Sequence, residues 1–353
     1  MNLSESNEVT GTTVQYWQVA AGSDNRDYSA DFLRYGLAFV GGDGPRATMK
    51  QVRQGDRIVL KRGTSRIIAA GVVVERAGEH RGEVDDADEQ RQWLRDYDGW
   101  DLRAYCNVEW HHSGELSPVV GLSRGTIRLV HQSEIRRIAE EIIAATPPRP
   151  IDAEPSPTQL VSDVEVLDHL IELGLRPGAA EDLTATIRRI RLLARYYFHK
   201  CRWDDIREHE ARTFLIIPLL LALGWSEQQI KIELSVPGGR VDIAGFRTPY
   251  RRKDKAPNND ECVLILESKG FSQGLDYAHT QGKAYAEEFP ACMVVVASNG
   301  YCYKAYRRAG VGFAETPSAY LNLLAPRTHY PLDPKENSGA LALLSFLMPP
   351  GPR

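Results

Sequence analysis

The chain of 353 residues is poor in the features that would mark it as secreted, membrane-bound or motor-driven. It has five cysteines, Cys106, Cys201, Cys262, Cys292 and Cys302, and no C-x-x-C pair. An odd, scattered set argues against a disulfide framework or a zinc knuckle. The expectation is reduced thiols in a cytoplasmic protein. No apolar run approaches the ~20 residues that span a bilayer. The run 215–223 is short and carries Pro218, and residues 1–13 are polar, without the apolar core of a signal peptide. The phosphate-cradling pattern G-x-x-x-x-G-K-[ST] is missing. Gly282-Lys283-Ala284 copies its end without the glycine spacing or the hydroxyl, so no nucleotide-driven motor and no use of ATP is expected. A bulk charge of one sign is also missing. Lys and Arg number 43 against 47 Asp and Glu, a net charge of -4. A nucleic-acid partner would therefore have to be read from where the charges sit.

What is present is ordinary for a globular chain, 42% hydrophobic and 25% charged. The length suits two domains. Residues 14–145 are rich in short strand signals, at 16–21, 57–61, 67–75, 105–110 and 126–130, with turn residues between them. A helix is expected over 133–144, and the whole reads as a small mixed barrel with helices. Five prolines between 147 and 157 mark a linker, 146–161. A helical connector follows over 162–203. Its first helix opens on Ser162 with Glu165 three residues on, the form of a capping box. Its second ends with Arg188, Arg189, Arg191, Arg195 and Lys200 and no acid among them, a run that is usually a solvated face and is here also a candidate for nucleic-acid contact. From 204 to 353, helices at 204–223 and 278–289 alternate with strands at 231–234, 241–246, 262–268 and 292–297. That order predicts an α/β (α+β) mixed sheet flanked by helices, with some antiparallel edges.

Two stretches carry chemistry. In Gly239-Arg240-Val241-Asp242-Ile243-Ala244 an acid stands inside a strand-like run, where strands disfavour Asp and burial of a lone carboxylate is costly. In Val263-Leu264-Ile265-Leu266-Glu267-Ser268-Lys269 a buried strand ends in an acid and a lysine two apart. Side chains two apart share a face. Two carboxylates on neighbouring strands are the donor set that suits Mg²⁺. Gln281 and Tyr285 lie four apart on the following helix and share a face there. Glu208, with Glu210 as a rival, opens the helix that precedes the first strand.

The order Glu208, Asp242, Glu267-x-Lys269, Gln281-x-x-x-Tyr285 resembles the PD-(D/E)XK nuclease superfamily over roughly 207–306. The flavour is that of the nuclease domain of type I restriction subunits. The resemblance implies a restriction-endonuclease-like fold and Mg²⁺ as cofactor, with Mn²⁺ as a substitute. It implies that Asp242 and Glu267 bind the metal and that Glu208, Lys269 and Gln281 complete the catalytic set. Tyr285 would contact the DNA, as would Arg188, Arg191 and Arg195 of the preceding helix. The proline that names the motif is absent before Asp242.

The first segment resembles an EVE or PUA-like domain over about 14–130. The resemblance rests on Tyr16-Trp17-Gln18-Val19, Gly36-Leu37-Ala38-Phe39-Val40-Gly41-Gly42 and the Gly55-Asp56 that precedes Arg57-Ile58-Val59. It implies a reader, 1–145, that takes a flipped, modified base between aromatic walls. Phe39 and Trp100 are the candidate walls, and Ser23 and Asn25 the candidate contacts to the base edge. Together the two resemblances imply a modification-dependent, type IV-like restriction endonuclease. Its substrate would be double-stranded DNA with 5-methyl- or 5-hydroxymethylcytosine. It would act as a homodimer in antiviral defence. The rivals are a nuclease steered by unmodified DNA or by RNA, and a non-catalytic nucleic-acid sensor.

Overall fold

The computed structural model describes residues 13–22, 26–85, 91, 93–96, 102–112, 114, 116–155, 158–199, 205–253, 256, 257, 259–330 and 338–350. They fall into two compact units, one of the described residues within 1–22, 28–83 and 102–154, the other of those within 23–27, 84–101 and 155–353. The proline-rich stretch is divided between them. Arg149 N–H donates to the Trp110 carbonyl at 2.7 Å and Asp152 N–H to the Arg34 carbonyl at 2.9 Å, both in the first unit. Val161 N–H donates to the Pro326 carbonyl at 2.8 Å in the second. The expected linker 146–161 is thus mostly pinned to one unit or the other by its own backbone.

The first unit is a mixed, curled sheet with helices, as its strand signals predict. Its elements are β1 (Tyr16–Ala20), α1 (Ser29–Tyr35), β2 (Leu37–Val40), α2 (Asp43–Met49), β3 (Arg57–Arg62), β4 (Arg66–Val73) and β5 (Arg81–Glu83). After α3 (Trp93–Asp96), which belongs to the second unit, come β6 (Ala104–His111), β7 (Ser117–Pro118), β8 (Ile127–Leu129) and α4 (Ser133–Ala145). The strands run in the order β2-β6-β4-β3-β1-β8. β1 lies parallel to β3, Tyr16 opposite Arg57, and the other pairs are antiparallel. The Gly55-Asp56 turn has a structural task. Gly55 takes φ +84, and the buried Asp56 carboxylate accepts from Trp17 Nε1 at 2.9 Å and from the Gln15 and Arg53 N–H groups. A lone buried carboxylate would be costly; three donors offset that cost.

The second unit holds the larger core. β9 (Ile230–Val236), β10 (Gly239–Phe246), β13 (Cys262–Ser268), β14 (Val294–Ser298), β15 (Cys302–Ala309) and β16 (Gly312–Phe313) form a sheet in the order β16-β15-β14-β13-β10-β9, and β17 (Ala319–Asn322) joins β15. β11 (Arg252–Lys253) and β12 (Ala256–Pro257) pair apart from it. β13 and β14 are parallel, as a crossover through α9 (Ala278–Ala286) requires, and the other pairs are antiparallel. One face of the sheet packs on α9 through Ile265, Val295, Ala286 and Phe289. The other packs on α5 (Asp163–Glu172), α6 (Pro177–His199), α8 (Ile217–Ala222) and α10 (Ala340–Leu347). Ser162 caps α5 with Glu165 in a full capping box, as the sequence pattern predicts.

The expected helical connector therefore has no core of its own. Leu170, Ile187 and Ile190 are buried with Leu219, Ile243 and Leu266 of the same unit. Ile171 and Leu173 remain exposed. Among the described residues no helix is long and apolar enough to cross a membrane.

Candidate active site

β13 is buried along its whole length between β10 and β14. A central strand of this kind reads as an apolar run, and Val263 to Leu266 supply it. Its register with β10 sets Ile243 against Leu266 and Ala244 against Ile265. Asp242 and Glu267 are the next residues outward, and there side chains replace the ladder. The Asp242 Oδ2 accepts from Ser268 N–H at 2.8 Å and from Ser268 Oγ at 2.9 Å. On the other edge, Lys269 N–H donates to the Ser298 carbonyl at 2.8 Å, which carries the strand past its last paired residue.

A helix on the neighbouring face brings the third acid. It begins as α7 (Glu208–Ala211), widens into a π-helical segment (Arg212–Ile216) and continues as α8. Glu208 Oε1 lies 3.9 Å from Lys269 Nζ and 3.4 Å from Ser268 Oγ. Glu210, its rival, accepts from Arg207 N–H at 3.1 Å and caps the helix instead. Glu208, Asp242, Glu267 and Lys269 are thus brought together from one helix and two strands.

Their electrostatics are those of a site short of positive charge. Glu267 is only 2% exposed, and its Oε1 has no hydrogen-bond partner. Burial, reinforced by the negative charge of Asp242, pushes its carboxyl up to about 8. Burial also raises Glu208, against the pull of Lys269. An unpaired buried carboxylate oxygen beside a second carboxylate is what a hard cation would satisfy. Among the described residues no three His, Cys, Asp or Glu side chains are grouped to hold an ion. The unpartnered Glu267 Oε1 and the Asp242 carboxylate beside it are the donors that could hold a cation, with water as the remaining ligands.

No family model matches the chain, and no curated protein matches it.

Gln281 and Tyr285 bond to each other on α9. Gln281 Nε2 donates to Tyr285 Oη at 2.7 Å. Tyr285 is 8% exposed, with its hydroxyl packed where a side chain on Gly239 would stand. A tyrosine so enclosed packs β10 against α9, and a role for it at a DNA backbone is not supported. What α9 brings to the centre is Gly282, whose bare Cα lets the helix lie on Glu267 and Val295. Arg191 is likewise a structural tie. Its Nε donates to the Leu323 carbonyl at 2.6 Å, and its NH1 holds Asp163 at 2.7 Å. Arg188 and Arg195 are exposed on α6, as is Arg189.

Of the reader residues, Ser23, Asn25 and Trp100 lie outside the described residues. Phe39 is 2% exposed, its ring 4.3 Å from Phe32 and 5.8 Å from Tyr28. That is a core position in β2, since a stacking wall must offer a free face. The first unit does have a cavity of about 160 Å³, lined by Arg46, Lys50, Arg81 and Glu83 among others. Sequence reasoning also missed Arg212 and Ser268. Ser268 is the middle residue of the Glu-x-Lys triplet. Arg212 is signalled only as a lone cation four residues after Glu208, ahead of an apolar run.

Proposed function

We propose that the chain is a divalent-metal-dependent endonuclease acting on DNA that carries a modified cytosine, in defence against foreign DNA. The observation that supports it best is the convergence of Asp242, Glu267, Lys269 and Glu208, with the buried Glu267 Oε1 left unpaired. Asp242 and Glu267 would hold Mg²⁺ or Mn²⁺. Such an ion supplies Lewis acidity toward a phosphoryl oxygen and lowers the pKa of a water. Lys269 places its side-chain nitrogen beside the acid pair, where an ammonium suits a phosphate oxygen in the transition state. Glu208, 3.9 Å away, orients that ammonium. The charge distribution thus meets the two needs of phosphodiester hydrolysis, a cation site and a fixed ammonium. ATP has no part in it.

Selection of 5-methyl- or 5-hydroxymethylcytosine is assigned to the first unit, by flipping of the base. Cutting of both strands is assigned to a homodimer, since one site holds one scissile phosphate and the strands run in opposite directions. The test is incubation of the purified chain with matched plasmids carrying cytosine, 5-methylcytosine or 5-hydroxymethylcytosine, with Mg²⁺, Mn²⁺ or a chelator. The expected result is metal-dependent cleavage of a modified plasmid only. Equal cleavage of all three, or of RNA, would remove the reader from the proposal. Binding without cleavage of any substrate would make the chain a sensor.

A further inference from the structure

The helix that carries Glu208 brings a fifth charged group into the same centre. Arg212 stands one turn on, at the start of the π-helical segment, and is 5% exposed. All three of its nitrogens donate. NH2 donates to Asp242 Oδ1 at 2.7 Å and to Ser268 Oγ at 3.1 Å, and Nε donates to the same hydroxyl at 3.2 Å. NH1 donates to Glu233 Oε1 at 3.1 Å, and NH2 lies 3.9 Å from Glu208 Oε1. One cation is shared by three carboxylates, from the helix, β9 and β10.

The backbone is bent to make this possible. Glu233 takes φ +52, a left-handed conformation that costs a residue with a side chain about 1–3 kcal/mol. It does so where the β9–β10 pairing passes from Val241–Leu234 to Ile243–Ile232 without pairing Asp242. A π turn of the kind that carries Arg212 is itself rare and tends to mark functional sites. The site is therefore asymmetric. On the Glu208 side the protein supplies its own positive charge. On the Glu267 side Oε1 is buried without any partner. An arginine cannot yield its charge by losing a proton at any accessible pH, and Ser268 Oγ fixes the plane of this one.

We propose that Arg212 is the permanent counter-ion of Asp242 and Glu208, and that it restricts the centre to a single divalent ion, held by Asp242 and Glu267. This rests on the metal-dependent reading above. A second divalent ion shared by Asp242 and Glu208 would have to displace the guanidinium, whose NH2 already bridges them at 2.7 Å and 3.9 Å, whereas an ion on the Glu267 side meets an oxygen that has no partner. Arg212 acts through the carboxylates it holds and is a positioning residue.

The test is the binding of Mn²⁺ to the metal-free full-length chain, counted from the free Mn²⁺ signal in electron paramagnetic resonance. Wild type is expected to bind one ion per chain. Glu208→Gln is expected to keep a stoichiometry of one, with affinity within about threefold of wild type. Glu267→Gln should lose more than about tenfold, because even outer-shell changes at metal sites cost about 10–100-fold. Arg212→Met, which frees Glu208 and Asp242 at similar side-chain length, is expected to take up a second ion. Two ions on wild type would overturn the proposal and leave the metal-dependent reading standing. So would a folded Arg212→Met that still binds one. If Arg212→Met does not fold, Glu208→Gln decides, since a loss equal to that of Glu267→Gln would overturn the proposal. No bound ion on wild type would mean that the metal-dependent reading itself is wrong.

Discussion

Asp242 closes the end of β13 through Ser268. Its carboxylate accepts from the N–H of Ser268, the residue after Glu267, at 2.8 Å, and from the Ser268 hydroxyl at 2.9 Å. The two acids are thus placed by the termination of one β-ladder, which gives a rigid pair at little entropic cost. It also explains why Ser268 sits between Glu267 and Lys269. Its hydroxyl donates to Asp242 and accepts from Arg212.

Under the proposed function, Glu267→Gln, Asp242→Asn and Lys269→Ala should each lower the rate of cleavage by on the order of 10²-fold or more. Affinity for the proposed DNA substrate should change far less, because contacts to the phosphate backbone generally dominate protein–DNA affinity. The measurement is single-turnover cleavage beside a binding isotherm at the same salt. A Glu267→Gln protein that cuts at the wild-type rate would show that the centre lies elsewhere.

Stability should depend on pH and on metal in opposite ways. Below about 4.5 the Glu267 carboxyl is protonated in both the folded and the unfolded chain. Between there and about 8 only the folded chain keeps the proton. The stability due to that proton is full at the acid end and is lost as pH rises through about 8, each tenfold difference in proton affinity between the two states being worth about 1.4 kcal/mol. A divalent ion replaces the proton, so Mg²⁺ should raise Tm more above pH 8 than near pH 6. Thermal melts of wild type and Glu267→Gln across that range check it. The gain from Mg²⁺ should be small and flat in the variant, and an equally steep one there would refute the assignment.

Gly282→Ala should destabilise the protein and slow cleavage. In a solvated helix that change would help by about 1 kcal/mol. Here the new Cβ would stand 2.7 Å from Val295 Cγ1 and 3.0 Å from Glu267 Cγ. Overpacking of this kind costs about 1–3 kcal/mol and would push α9 off the sheet beside Glu267. Chemical denaturation gives the first effect and cleavage rate the second. A more stable Gly282→Ala protein would mean that the helix has room to spare.

The parts of this molecule legible in its sequence are those with one dominant local signal. The apolar run 263–266, ended by Glu267, announces a buried strand with a charged tip. Ser162 and Glu165 announce a helix start, and the order of helices and strands announces an α/β unit. β15 is hidden because Lys304, Arg307 and Arg308 interrupt its pattern. Lys304 is buried in the structure only because Asp276 meets its Nζ at 2.6 Å. Tyr285 and Arg191 look like surface groups because their spacing on a helix fits a polar face. The partners that enclose them, Gly239 for one and Leu323 and Asp163 for the other, lie 46 and up to 132 residues away in the chain. Arg212 is the clearest case, since its meaning depends on Glu233, Asp242 and Ser268, three residues from three strands.

The arginines of α6 should divide into two classes. Arg191 holds the Leu323 carbonyl and Asp163, so Arg191→Ala should lower stability by about 1–2 kcal/mol. It should leave the salt dependence of DNA binding unchanged. Arg188 and Arg195 are exposed on the same helix. If the proposed DNA substrate runs along that face, Arg188→Ala and Arg195→Ala should have the reverse effect. Each lost phosphate contact reduces the slope of log Kobs against log salt by about 0.9. The double variant should flatten it by nearly twice that, with Tm unmoved, because exposed arginines without fixed partners contribute little to folding. Affinities measured at four or more salt concentrations, together with thermal melts of the same samples, separate the two classes. An unchanged slope in the double variant would place the DNA on another face of this unit, while a changed slope in Arg191→Ala would show that its ties to Leu323 and Asp163 give way when DNA binds.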